Sequence, residues 1–194
     1  MRLILASGST ARRTMLAAAG LNFEVAPAPV DEAALKAASQ ASPNALALEL
    51  AAAKAQAIST RHPDALVIGA DQILLCDGQM FDKPQNLAAA AAHLRTLRGR
   101  PHTLVTAVCV AQAGALTWTH VETPTLKMRN VSEAFLADYL QAEGPDICAC
   151  VGAYRLEGRG INLFDTIEGD YFSVLGMPLL ALLGFLRAAG ATPA

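Results

Sequence analysis

The sequence predicts a mixed-sheet α/β fold with flanking helices, a single domain over residues 1–194 divided into two lobes around a cleft. Three observations carry that expectation. Short apolar runs such as Leu3-Ile4-Leu5-Ala6 and Leu66-Val67-Ile68-Gly69-Ala70 read as buried strands. They alternate with alanine-rich stretches whose apolar residues recur at helical spacing. Asp77-Gly78 and Gly114 follow or separate β-rich runs and mark hairpins.

In chain order, residues 3–6 are the first strand and 12–19 a helix that Gly20 stops from the position after the cap. Residues 23–25 are a second strand, and Pro27, Pro29 and the acid pair Asp31-Glu32 mark a loop. Residues 45–59 form a strong helix on which Leu46, Leu50 and Ala53 recur, with Glu49 and Lys54 also along it. A strand at 65–69 follows, then 73–75 as one arm of a hairpin that turns at Asp77-Gly78. Residues 87–97 are helical up to Gly99, and the runs 103–112 and 116–127 form a long hairpin around Gly114. Ser132 caps a helix that runs to Gln141. Residues 152–163 are a glycine-rich loop-and-strand region. The apolar stretch 174–186 is broken by Gly176, Pro178 and Gly184, and reads as a loop followed by a buried helix from near Pro178. A bilayer-spanning helix needs about 20 apolar residues, so this stretch is not one.

Composition narrows the function classes. The formal net charge is −2, with no run of either sign, which argues against a basic face for nucleic acid. No signal-peptide core is visible. The four cysteines, Cys76, Cys109, Cys148 and Cys150, lack zinc spacing and read as buried, reduced thiols of a cytoplasmic protein.

The polar residues that punctuate the strands carry the chemistry. Ser7 and Ser9 follow the first strand and precede a helix N-terminus, where hydroxyls and free N–H groups hold phosphate oxygens; Arg12 adds a forked cation. Taken alone, a Ser-x-Ser here reads as a helix cap with solvated arginines. Asp31-Glu32 alone reads as a solvated acid pair, and Lys54 as an ordinary surface lysine. Asp71 differs, because a carboxylate at the end of an apolar strand needs a cation, a metal or donors. Lys83 stands beside Pro84 beyond the hairpin. Glu32, Lys54, Asp71 and Lys83 together are the right mixture for Mg²⁺ and a triphosphate.

From Leu3 to about Leu186 the chain resembles the Maf-family nucleoside triphosphate pyrophosphatases. The resemblance rests on Leu5-Ala6-Ser7-Gly8-Ser9 with Arg12, Val30-Asp31-Glu32, Lys54, Ile68-Gly69-Ala70-Asp71-Gln72 and Lys83-Pro84. It continues through Gly99-Arg100-Pro101-His102 with Thr106, Gly152-Ala153-Tyr154, Glu157-Gly158, Ile167-Glu168-Gly169-Asp170-Tyr171 and Gly176-Met177-Pro178-Leu179. It implies a fold related to the inosine triphosphate pyrophosphatases, and hydrolysis of a nucleoside triphosphate to the monophosphate and diphosphate with a divalent cation (Mg²⁺, with Mn²⁺ or Co²⁺ as alternatives). It further implies that Ser7, Ser9 and Arg12 bind phosphate and that Lys54 and Lys83 neutralise the triphosphate. Glu32 and Asp71 would hold the metal, with Asp71 accepting the proton of the attacking water. A homodimer is implied by analogy alone.

Substrate choice follows three positions. Ala11 before Arg12, Gln72 after Asp71 and Glu157 before Gly158 side with the branch that resembles 7-methyl-GTP hydrolases, as does Gly160-Ile161-Asn162-Leu163-Phe164. A carboxylate at 157 suits the guanine N1–H and amine and the positive methylated ring. The departures are Thr10-Ala11, Asp82 before Lys83, Val151 before Gly152, and Gly169-Asp170-Tyr171, which looks more like the pyrimidine branch. The alternatives are a pyrimidine or inosine triphosphate hydrolase and a non-catalytic nucleotide-binding regulator of septum formation. Such a regulator has no need of Glu32, Asp71 and both lysines.

Overall fold

A computed structural model describes residues 1–192. Among the described residues are eight strands and seven α-helices, in the order β1 (Arg2–Leu5), α1 (Thr10–Ala18), β2 (Glu24–Val25), α2 (Glu32–Ala38), α3 (Pro43–Ser59), β3 (Ala65–Cys76), β4 (Gln79–Phe81), α4 (Leu87–Leu97), β5 (Pro101–Gln112), β6 (Ala115–Glu122), β7 (Thr125–Met128), α5 (Glu133–Glu143), β8 (Phe164–Glu168), α6 (Tyr171–Val174) and α7 (Leu179–Ala188). Two 3₁₀ segments, Gly144–Ala149 and Arg159–Leu163, precede β8. The strands hydrogen-bond in the order β2-β1-β3-β5-β7-β8, with β4 on β3 and β6 on β5. The β1 pairings are parallel and those of β4, β6, β7 and β8 antiparallel, so the sheet is mixed.

The chain divides into two compact units, and β3 and β5 each run from one into the other. The first contains residues 1–72, 106–122 and 171–194. Its core joins Leu3, Leu5, Leu66, Ile68, Val108 and Val110 from the strands to Met15 and Leu16 of α1 and to Leu179, Leu182 and Leu186 of α7. Burying each of these side chains is worth about 1.5–3 kcal/mol. The second unit, 73–105 and 123–170, holds the hairpin β3–β4, the pairing of β5 with β7 and of β7 with β8, and α4 and α5.

Local chemistry explains the element ends. Ser9, Ser42, Asn86 and Ser132 cap α1, α3, α4 and α5, each accepting a backbone N–H of the first turn. Gly20 ends α1 as expected: its N–H bonds Ala17 O and that of Leu21 bonds Leu16 O, with φ at +76°.

Four expectations change. Asp31-Glu32 is not loop: Asp31 Oδ1 accepts from Ala34 N at 3.0 Å and caps α2, which Glu32 begins. The prolines at 27 and 29 end before the alanine-rich run takes over. The segments 65–69 and 73–75 are one 12-residue strand; its polar Asp71-Gln72 step survives burial because both side chains find partners, described below. The run 116–127 breaks at Thr123-Pro124, where proline lacks a ladder donor, yet β6 and β7 both pair antiparallel with β5. Residues 152–163 carry turns and a 3₁₀ segment, and the strand begins only at Phe164.

Candidate active site

The first unit gathers most of the expected residues. β1 leads through Ala6 into Ser7, which is buried. Ser7 Oγ accepts from Ser9 N and from Arg12 Nη1, both at 3.2 Å, while Ser9 Oγ accepts from Arg12 N at 3.4 Å. Ser9 is thus the helix cap, and Ser7 a hydroxyl that accepts twice and keeps its own O–H as a donor. Arg12 is held at a second point, its Nε donating to Gly176 O at 2.8 Å. Burial pulls the Arg12 guanidinium down from its ordinary pKa, and the charges of Asp71 and Glu32 push it back up. The phosphate-type corner and the acidic residues therefore share one electrostatic environment. Ala11 is half-buried in the first turn of α1.

Lys54 joins the two carboxylates. Its Nζ donates to Asp71 Oδ1 at 2.6 Å and to Glu32 Oε1 at 2.8 Å. Lys54 and Asp71 are both buried, with side chains 10% and 8% exposed, and Glu32 is half-exposed at 46%. Gly69 explains how a helical lysine reaches a strand carboxylate. A Cβ at Gly69 would collide with the Ala51 carbonyl oxygen and come within 2.9 Å of Ala55 Cβ, so α3 lies directly on the β3 backbone there. Gly69 and Asp71 share a strand face, and Lys54 stands between Ala51 and Ala55 on the helix. The missing side chain at 69 sets the approach that closes the ion pair.

Gln72 points the other way along the same strand and serves the backbone that holds Arg12. Its Nε2 lies 2.9 Å from Thr106 Oγ1, 3.0 Å from Ser173 O and 3.1 Å from Val174 O. Thr106 Oγ1 in turn donates to Ser173 O at 2.9 Å. The end of α6 is closed by Gly176 N to Ser173 O and Met177 N to Phe172 O, both at 3.1 Å, with Gly176 at φ +106°.

Lys83 and Glu157 belong to the second unit. Both are exposed, and Glu157 Oε1 lies 3.7 Å from Arg155 Nε. Burial first, then the charge of Glu157, pushes the Cys150 thiol up to about 11 against the opposing charges of Arg155 and Lys83. In this unit Gly152-Ala153-Tyr154 forms a tight turn. A Cβ at Gly152 would collide with the Tyr154 ring, and the buried Ala153 sits at φ +56°, a conformation that costs about 1 kcal/mol or more for a non-glycine residue. The turn buries Tyr154, whose hydroxyl lies 2.8 Å from His102 Nε2. Burial lowers the His102 pKa from 6.5 to about 4.

Among the described residues no group of three or more His, Cys, Asp or Glu side chains is placed to hold a metal. Glu32 and Asp71 nevertheless converge on one ammonium, and a pair of carboxylates suits Mg²⁺, which is bound through one or two carboxylates plus substrate phosphates. The structure thus brings together Ser7, Ser9, Arg12, Glu32, Lys54, Asp71 and Gln72. The sequence reading missed the positional roles of Gly69, Thr106 and Gly176. An isolated glycine inside a strand, as at 69, signals close backbone approach and was available.

The family model described as Maf-like protein matches residues 2–189. A nucleoside triphosphate pyrophosphatase of Granulibacter bethesdensis is 56% identical over 190 residues, covering 96% of each chain. A 7-methyl-GTP pyrophosphatase of Rhizobium etli is 46% identical over 192 residues, covering 97% of this chain and 96% of that one. Among solved structures, a HAM1 protein from Coxiella burnetii is similar with a TM-score of 0.45 and 10% identity, over 68% of this chain and 74% of that one. With a matching model over nearly the whole length and near-full-length relatives, the chain belongs to the Maf-like protein family.

Proposed function

We propose that this chain hydrolyses 7-methyl-GTP to the monophosphate and diphosphate at the Ser7–Arg12–Lys54–Asp71 cluster, removing a modified nucleotide. The coarser statement rests on the family: the chain is an enzyme, a nucleoside triphosphate pyrophosphatase, like its close curated relatives. The finer one is supported by Ala11, Gln72 and Glu157 and by relatives named 7-methyl-GTP pyrophosphatase. The observation that carries the chemistry is Lys54 Nζ bridging Asp71 and Glu32 beside Arg12.

In this reading the Ser7 O–H, the α1 N-terminus and Arg12 bind phosphate oxygens. Lys54 orients the Asp71 carboxylate, which takes the proton of a water attacking phosphorus, and its ammonium offsets charge on the departing diphosphate. A divalent cation held by Glu32 and Asp71 would supply further charge compensation at the triphosphate. The reading includes a cytoplasmic setting, in keeping with the free cysteines Cys76, Cys109, Cys148 and Cys150.

The test is diphosphate release with Mg²⁺ from 7-methylguanosine, uridine, cytidine, thymidine and inosine triphosphates. Preference for the methylated base supports the proposal, and preference for a pyrimidine or inosine overturns the substrate while leaving the reaction. Asp71→Asn should fold and bind nucleotide yet lose about 10²- to 10⁴-fold in turnover. Undiminished turnover would remove Asp71 as the base.

A further inference from the structure

We infer that Gln72 is a positioning residue for phosphate binding: with Thr106 it clamps the end of α6, and through the Gly176 turn it fixes the Arg12 guanidinium. The inference rests on the reading of Arg12 as a phosphate ligand and deepens it. Four contacts make a continuous chain. Gln72 Nε2 and Thr106 Oγ1 both donate to Ser173 O, at 3.0 and 2.9 Å. Gly176 N donates to that same oxygen at 3.1 Å, and Arg12 Nε donates to Gly176 O at 2.8 Å. Ser173 adds a second anchor, its Oγ donating to Glu122 Oε2 at 3.1 Å.

The chemistry assigns the order of cause. Helix α6 has four residues, too short to hold its own geometry in isolation. Its last carbonyls need outside donors, and the Gln72 amide, with two hydrogens, serves Thr106 and the carbonyls of both Ser173 and Val174. The turn that follows depends on Gly176 at φ +106°, where side chains are disfavoured. Its carbonyl then faces Arg12: a Cβ built at Gly176 would stand 3.6 Å from Arg12 Nε and 4.0 Å from Gln72 Oε1. Arginine loses side-chain freedom when it binds a phosphate, and a residue that holds it beforehand removes part of that cost. The Gln72 nitrogen is thus committed to protein acceptors.

Gln72→Leu keeps the volume and removes the donors. The first readout needs no substrate: the Arg12 Nε–H resonance in nitrogen-15 NMR should exchange with solvent about tenfold faster, as expected for loss of one charge-assisted hydrogen bond. The second is the affinity for inorganic diphosphate, which should weaken about tenfold, with KM rising for the preferred triphosphate. Gln72→Leu and Arg12→Ala should be non-additive in diphosphate affinity. Thr106→Val removes one donor to Ser173 O and should act in the same direction with smaller size, which covers a Gln72 variant that fails to fold. Unchanged Arg12 exchange, additive effects, or undiminished diphosphate binding would each overturn the inference. A wild type that releases no diphosphate from any triphosphate defeats the enzymatic reading instead, and the Arg12 resonance still decides the clamp.

Discussion

The ion pair under the site makes a quantitative prediction. In Lys54→Met the Asp71 carboxylate, only 8% exposed, loses an ammonium at 2.6 Å. Removing one partner of a buried pair costs about 3–5 kcal/mol, because the remaining charge is left uncompensated. Arg12 acts on Asp71 electrostatically and offsets part of this, which places the expectation at the lower end, about 3 kcal/mol. Asp71→Asn behaves differently, since Lys54 keeps Glu32 at 2.8 Å. That half-exposed pair is worth about 0.2–1 kcal/mol by itself, but it spares the ammonium from being buried alone. The single change at 71 should therefore cost about 1 kcal/mol, a lost hydrogen bond and little more. Combined with Lys54→Met it removes the orphaned charge, so the double variant should be about 2 kcal/mol more stable than the sum of the singles predicts. Urea unfolding monitored by circular dichroism reads these differences. With a slope of about 2 kcal/mol per molar, Lys54→Met lowers the midpoint by about 1.5 M. Strict additivity, or a Lys54→Met shift below about 0.3 M, would refute the charge logic.

Two further outcomes follow from the packing. Gly69→Ala forces α3 away from β3, because the new Cβ meets the Ala51 carbonyl and the Ala55 Cβ at 2.9 Å. It should destabilise by about 1–3 kcal/mol in urea and lower turnover by separating Lys54 from Asp71, whereas unaltered turnover would detach the helix approach from the site. The buried His102 gives a pH dependence of known sign. Its folded pKa of about 4 lies below the ordinary imidazole value of 6.5, so the unfolded chain binds the proton first. The stability it contributes is present above pH 6.5 and is lost as pH falls toward 4, about 3 kcal/mol in all. Unfolding free energies across that range should lose this component in His102→Phe, and an unchanged slope in that variant would assign the effect elsewhere.

Much of the architecture was legible because it is local. Apolar runs at 3–5 and 66–70, the cap Ser132, the helix start near Pro178 and the stop at Gly20 depend on residues within a turn or two, and the structure places each as expected. Asp31-Glu32 was misread because the neighbouring prolines signalled a loop more strongly than one aspartate signalled a cap. The break at Thr123-Pro124 depended on a single residue lacking a donor, inside a run whose β-propensity continued on both sides. At the site, Asp71 alone announced itself, as a carboxylate in an apolar run that had to find a counter-charge. Lys54 did not, since nothing in an alanine-rich helix distinguishes a buried lysine from a surface one.

The sequence by itself determined the alternation of strands and helices, the family and the inventory of groups fit to handle a phosphorylated nucleotide. These follow from periodicity, caps and ordered motifs, which are properties of neighbours along the chain. The tertiary structure alone decided which groups meet. Lys54 reaches Asp71, 17 residues on, because Gly69 lets a helix lie against a strand. Arg12 is held by Gly176, 164 residues away, because Gln72 and Thr106 pin the short helix before it. Hydrogen bonds and ion pairs act over about 3 Å in space and carry no mark of their sequence separation, so only the folded chain reveals them.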